Sequence, residues 1–169
     1  MKTFIFIIGT RPNIVKLCPI YHKIKQKYNI IKIKIIYTGQ HFDTNMSNIF
    51  FNEFKISDND IYYINNYQKH NYKSEFDIYY NTLFENFNIK NIKNNINFLN
   101  NKHHPIIYNI SSIILNLSDN DNSSTYTIVF GDVYSSLLGS FASFKLNYKL
   151  VHIESGLRCY DYTMPEEIN

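Results

Sequence analysis

The order in which strand-like and helix-like patterns follow one another leaves few folds open to this chain. Short apolar runs at Thr3–Ile8, Ile31–Thr38, Thr125–Phe130 and Tyr148–Ile153 have the length of strands, and a weaker one lies at Asp60–Ile64. The first and third are apolar on both faces, as strands buried inside a parallel sheet are. Between them, apolar residues recur at helical spacing. Ile14, Leu17, Cys18, Tyr21 and Ile24 make one face, and Phe42, Met46, Ile49, Phe50 and Phe54 a second. Phe76, Tyr80, Leu83, Phe84 and Phe87 make a third. Ile106, Ile110, Ile113, Ile114 and Leu117 make a fourth, with Pro105 at its start, and Val133, Leu137, Phe141 and Phe144 a fifth. Each stripe reads as core. Strands alternating with helices predict βαβ units and an α/β fold, a parallel sheet with helices on both faces.

The 169 residues suffice for one domain with its own core. The net charge is +3 with both signs mixed along the chain, so no basic stripe of the kind nucleic acid requires is present. Cys18 and Cys159 are far apart, without metal-type spacing, and read as free thiols of a reducing compartment. The apolar N-terminal run is short for a signal peptide, and no run reaches membrane-spanning length. A cytoplasmic protein is expected.

Glycine marks one edge of the predicted sheet. Only five occur, and Gly9, Gly39, Gly131 and Gly156 each follow a predicted strand. The carboxyl edge of an open α/β sheet is where ligands bind. In the first loop, Gly9-Thr10-Arg11-Pro12-Asn13 leads into a helix carrying Lys16. Helix N-termini suit anions, and Arg11 and Lys16 add full charges; the alternative, two solvated surface cations, accounts less well for Lys16 lying off the apolar face of its helix and close to its N-terminus. In the second loop, Gln40 and His41 follow Gly39, and His41 reads equally as an acid/base group or as a partly buried helix residue. In the third, Asp132 is a helix cap or a carboxylate aimed at a cleft. In the fourth, Glu154 ends an apolar strand, where a carboxylate is costly unless paired or used, and Arg158 is within reach to pair with it. Asp132, Glu154 and Glu166 converging with Arg11 and Lys16 on one edge would suit proton transfer beside a phosphate ester.

Together the segments GTRPNIVKLCPI, TGQHFDTNMSNIFF, FGDVYSSLLGS and HIESGLRCYDYTMPEEIN resemble the non-hydrolysing UDP-N-acetylglucosamine 2-epimerase family. The resemblance implies a Rossmann-like doubly wound sheet, the N-terminal domain of a glycosyltransferase-B-type two-domain fold. It implies interconversion of UDP-GlcNAc and UDP-ManNAc by elimination of UDP to a 2-acetamidoglucal and re-addition, with the proton returned to the other face of C2. By motif, Arg11 and Lys16 serve binding and leaving-group stabilisation, and Asp132, Glu154 and Glu166 are acid/base carboxylates. Gln40 and His41 match residues near a second, regulatory UDP-GlcNAc site, and Arg158 is carried along as a substrate-binding candidate. The expected ligand is a UDP-N-acetylhexosamine, with no metal or organic cofactor, and the intact family implies a homodimer. Asn13 departs from the GTRPE wording of many members, and Tyr134 is bulkier than the small residue common there.

Thr163–Asn169 reads as a helix start that is then cut off, with Pro165 in the first turn and Glu166 and Glu167 at the positive end of the dipole. Residues 1–169 are therefore expected to be an N-terminal domain without its C-terminal UDP-binding partner, inactive alone unless a complementary chain exists. Two other readings stand beside this one: a non-catalytic remnant or nucleotide-sugar-binding subunit, and the N-terminal domain of a related glycosyltransferase.

Overall fold

The structure, a computed structural model, describes residues 1–39, 44–64, 105–161 and 164–168. In chain order these form β1 (Lys2–Ile8), α1 (Arg11–Lys27), β2 (Ile31–Tyr37), α2 (Thr44–Glu53), a 3-10 turn (Asp58–Asp60) and β3 (Ile61–Tyr63). There follow α3 (Pro105–Leu117), β4 (Thr125–Phe130), α4 (Tyr134–Lys145), β5 (Lys149–Ile153) and the short α5 (Pro165–Ile168). All five predicted strands are present and pair in parallel, in the order β3-β2-β1-β4-β5. The third predicted helical face, Phe76 to Phe87, lies outside the described residues.

Alternation along β1 shows how the sheet is covered on both sides. Ile5 and Ile7 face a cluster with Ile106, Ile110 and Ile114 of α3 and Leu138 and Ala142 of α4. Phe6 and Ile8 face the opposite cluster, with Ile14, Leu17 and Tyr21 of α1 and Phe51 of α2. Successive side chains of one strand thus feed two cores, which is the doubly wound arrangement. Pro19 lies within α1 without ending it, on the exposed side of the helix.

Two predicted helical faces are rotated from where periodicity puts them. On α2 the buried ring is Phe51, whereas Ile49 is 60% exposed and Phe50 and Phe54 only flank the core. The cause is an aromatic cluster at the end of β2: Phe51 meets Tyr37 edge-on at 5.5 Å and Tyr63 at 6.5 Å. On α4 the buried line is Tyr134, Leu138 and Ala142 with Ser135, Gly139 and Ser143, while Phe144 is 63% exposed. Here closeness to the sheet decides. A Cβ on Gly139 would stand 3.0 Å from Ile7 and 3.1 Å from Val129, so the face laid on β1 and β4 is built of small residues.

Strand β5 is covered far less than the others. Lys149–His152 are exposed, including Leu150 and Val151 on opposite faces, and only Ile153 is partly buried.

Candidate active site

Strand order reverses direction at β1, so the loops after β1 and β4 diverge and leave a crevice at the carboxyl edge. Three loops meet there. From the first, α1 begins at Arg11, with Pro12 in its opening turn. Asn13 is buried, and its side-chain oxygen accepts from the N–H groups of Gly9 at 3.3 Å and Thr10 at 3.4 Å. The Asn that departs from the family wording therefore acts as a neutral acceptor closing the loop.

Lys16 projects from the second turn of α1 and forms an ion pair with Glu154, which directly follows β5. Both side chains are about two-fifths exposed. From the third loop, Gly131 lies beneath the pair: a Cβ there would be 3.7 Å from Glu154 Oε2 and 4.0 Å from Lys16 Nζ. Gly131 turns with φ +60°, and Glu154 itself has φ +62°. For a glycine that conformation is free; for a glutamate it is uncommon and strained.

Arg158, the sequence-derived alternative partner for Glu154, reaches Glu167 instead. The Glu167 carboxylate also accepts the N–H groups of Cys159 at 2.9 Å and Tyr160 at 3.1 Å. Chiefly through Arg158, and through those N–H groups, it is held down to about 2. Glu167 thus ties the loop after β5 to α5. Its neighbour Glu166 is exposed, and among the described residues no hydrogen bond or ion pair joins it to Lys16 or Glu154. Asp132 is half-buried, one position before Val133, the residue that caps α4, so the cap itself is not the acid.

The two cations of α1 face different sides of the crevice. Five residues apart on a helix, they point about 140° apart around its axis. Arg11 is felt by the Tyr37 phenol on the β2 side. Burial raises that phenol's pKa, while Ser47 and the Arg11 charge lower it. Lys16 serves the β4–β5 side. Gln40 and His41 lie outside the described residues. Among those described, no group of three or more His, Cys, Asp or Glu side chains could hold a metal ion.

Sequence reasoning singled out Lys16 and Glu154, which the structure pairs, but gave no role to two groups beside them. One is His152, whose segment was singled out while the imidazole was given no role; its Nε2 meets the Gly131 carbonyl at 2.6 Å. The other is Glu167, identical in type to the adjacent Glu166 chosen over it.

Comparison with known proteins follows the same lines. The family model described as UDP-N-acetylglucosamine 2-epimerase matches residues 70–169. A UDP-N-acetylglucosamine 2-epimerase homolog of Methanococcus maripaludis is 31% identical over 96% of this chain and 35% of its own length. A UDP-2,3-diacetamido-2,3-dideoxy-D-glucuronate 2-epimerase of Pseudomonas aeruginosa is 32% identical over 96% of this chain and 36% of its own length. The crystal structure of Neisseria meningitidis UDP-GlcNAc 2-epimerase bound to UDP-GlcNAc aligns with TM-score 0.66 and 25% identity, covering 99% of this chain and 36% of that one. The Methanocaldococcus jannaschii UDP-GlcNAc 2-epimerase in complex with UDP-GlcNAc and UDP aligns with TM-score 0.65 and 28% identity, covering 100% and 36%. The chain thus spans about a third of the length of the relatives it matches.

Proposed function

This chain belongs to the UDP-N-acetylglucosamine 2-epimerase family, and from that premise we propose that residues 1–169 form the N-terminal domain of an enzyme that epimerises a UDP-N-acetylhexosamine at C2. The observation that carries the proposal is the Lys16–Glu154 pair set over Gly131 at the strand-order switch. It puts a proton acceptor and a cation side by side at the edge where such sheets bind ligands.

In the proposed reaction a carboxylate takes the C2 proton. The C2–H electrons form the C1–C2 double bond, and the C1–O electron pair leaves with UDP. Re-addition reverses these steps with the proton delivered to the opposite face. Glu154, Asp132 and Glu166 are the acid/base candidates. Lys16 offsets charge on the departing diphosphate, and Arg11 binds it from the β2 side. Arg158 acts chiefly by holding the loop through Glu167. Gln40 and His41 belong to a second, regulatory nucleotide-sugar site. The enzyme works in the cytoplasm as a homodimer; no described helix is long and apolar enough to cross a membrane.

The remaining two-thirds of the relatives' length supplies the opposite wall of the cleft and most of the UDP pocket, either in one polypeptide or as a complementary chain. The test is C2 proton exchange from UDP-GlcNAc in heavy water. The chain alone is expected to incorporate no deuterium at C2. Joined to the C-terminal remainder of the Methanococcus relative, it is expected to do so, and Glu154→Gln or Lys16→Met is expected to abolish the exchange. Deuterium entering at an enzymatic rate with the chain alone would overturn the two-domain requirement. Undiminished exchange in both variants would overturn the site.

A further inference from the structure

We propose that His152 is a positioning residue that locks the loops bearing Asp132 and Glu154 to one another. The proposal rests on the reading of those two acids given above. The two loops leave adjacent strands, β4 and β5, paired with Phe130 opposite Ile153. Pairing stops there, and nothing in a sheet ladder dictates how two loops diverge beyond its end.

Here Gly131 is held by both of its backbone groups. Its N–H donates to the Ile153 carbonyl at 2.9 Å, and its carbonyl accepts from His152 Nε2 at 2.6 Å. A carbonyl only accepts, so Nε2 carries the proton. The held residue is the one whose α-carbon underlies the Lys16–Glu154 pair, and the next residue is Asp132. Releasing the Gly131 carbonyl frees the peptide plane between Gly131 and Asp132 to rotate, and Asp132 moves relative to Glu154. His152 itself is exposed and fills no core, so packing gives no reason for an imidazole at this place.

Nuclear magnetic resonance on the full chain tests this without turnover. Imidazole 15N shifts of the unmodified chain are expected to show Nε2 protonated and Nδ1 bare in the neutral ring. In His152→Ala the side-chain carboxyl 13C resonances of Asp132 and Glu154 should both move. In His152→Gln, whose amide nitrogen takes the place of Nε2, they should return toward their original positions. The melting temperature should change by no more than about 4 °C in either variant, as for loss of one part-exposed hydrogen bond. A neutral ring protonated on Nδ1 would overturn the proposal whether or not the variants fold. So would carboxyl resonances that stay put in His152→Ala, or a Gln variant no nearer the original than the Ala variant. Failure here leaves the heavy-water exchange result intact, so the two ideas fail separately.

Discussion

Replacing Gly9 with alanine probes how closely α4 is set against the end of β1. Gly9 has no positive φ, so any effect comes from space alone. The added methyl would lie 2.5 Å from Thr38 Oγ1, 2.7 Å from Ser135 Cβ and 2.8 Å from Ser135 Oγ. The threonine hydroxyl can swing away about χ1. The Ser135 Cβ is fixed to the first turn of α4 and can retreat only if the helix moves. Overpacking of this kind costs about 1–3 kcal/mol, and immovable backbone puts it near the upper end. Alanine in place of glycine returns about 0.4–1 kcal/mol by restricting the unfolded chain. The net loss is then about 2 kcal/mol, or about 4–8 °C in melting temperature. Removing the obstructing atoms should rescue it: in a double-mutant cycle, Gly9→Ala and Ser135→Gly should couple favourably by at least about 1 kcal/mol. Gly131→Ala is the control. Its methyl meets only ordinary contacts, its loss of about 1 kcal/mol comes from forcing φ +60° on alanine, and Ser135→Gly should not mitigate it. Strict additivity of Gly9→Ala with Ser135→Gly in thermal denaturation would refute the reasoning.

Two further outcomes follow from the loops. Asn13→Ala strands the buried N–H groups of Gly9 and Thr10 and is expected to destabilise by about 1–3 kcal/mol, whereas Asn13→Asp keeps an acceptor there and should lose less; chemical denaturation distinguishes the two. Glu167 is lowered from an ordinary 4.5 to about 2, so its contribution is fully present above pH 4.5 and lost as pH falls through 2. Protection factors of the Cys159 and Tyr160 amides, which remove the pH dependence of intrinsic exchange, should hold above about pH 4.5 and fall between there and about pH 2, and in Arg158→Met they should already be smaller at neutral pH.

How much of this was legible in the chain depends on how far apart the interacting residues are. The strands and their parallel order of connection follow from local patterns, because burial on both faces writes an apolar run into the sequence itself. The four glycines after strands mark the carboxyl edge of the sheet for a similarly local reason. Partners across the fold left no such mark. Glu154 was offered Arg158, four residues on, yet its partner is Lys16, 138 positions earlier, delivered by the β1-β4-β5 order of the sheet. The face of α4 was misjudged because hydropathy ignores distance of approach: Gly139 and Ser143 count as neutral in a periodicity, yet they are what lets α4 lie against Ile7 and Val129; that of α2 was misjudged because ring contacts between Phe51, Tyr37 and Tyr63 leave no mark in hydropathy. Glu166 and Glu167 are indistinguishable by type, and only the fold shows which one the Arg158 loop consumes.

Glu154 offers a way to ask whether the site is held by stability or in spite of it. Its pair with Lys16 is about two-fifths exposed on each side, and pairs of that kind contribute about 0.2–1 kcal/mol. Its left-handed backbone costs a non-glycine residue about 1–2 kcal/mol. Glycine at this position relieves the strain and loses the pair, and it also loosens the unfolded chain by about 0.4–1 kcal/mol. The terms nearly cancel, so Glu154→Gly should shift stability by no more than about 1 kcal/mol in either direction while abolishing C2 exchange in the two-domain protein. A melting temperature lowered by more than about 8 °C would mean that the carboxylate is a structural member of the fold. A near-zero shift with lost exchange would mean that the chain tolerates a strained backbone there for the sake of where it puts the acid, as active sites do when function and stability pull apart.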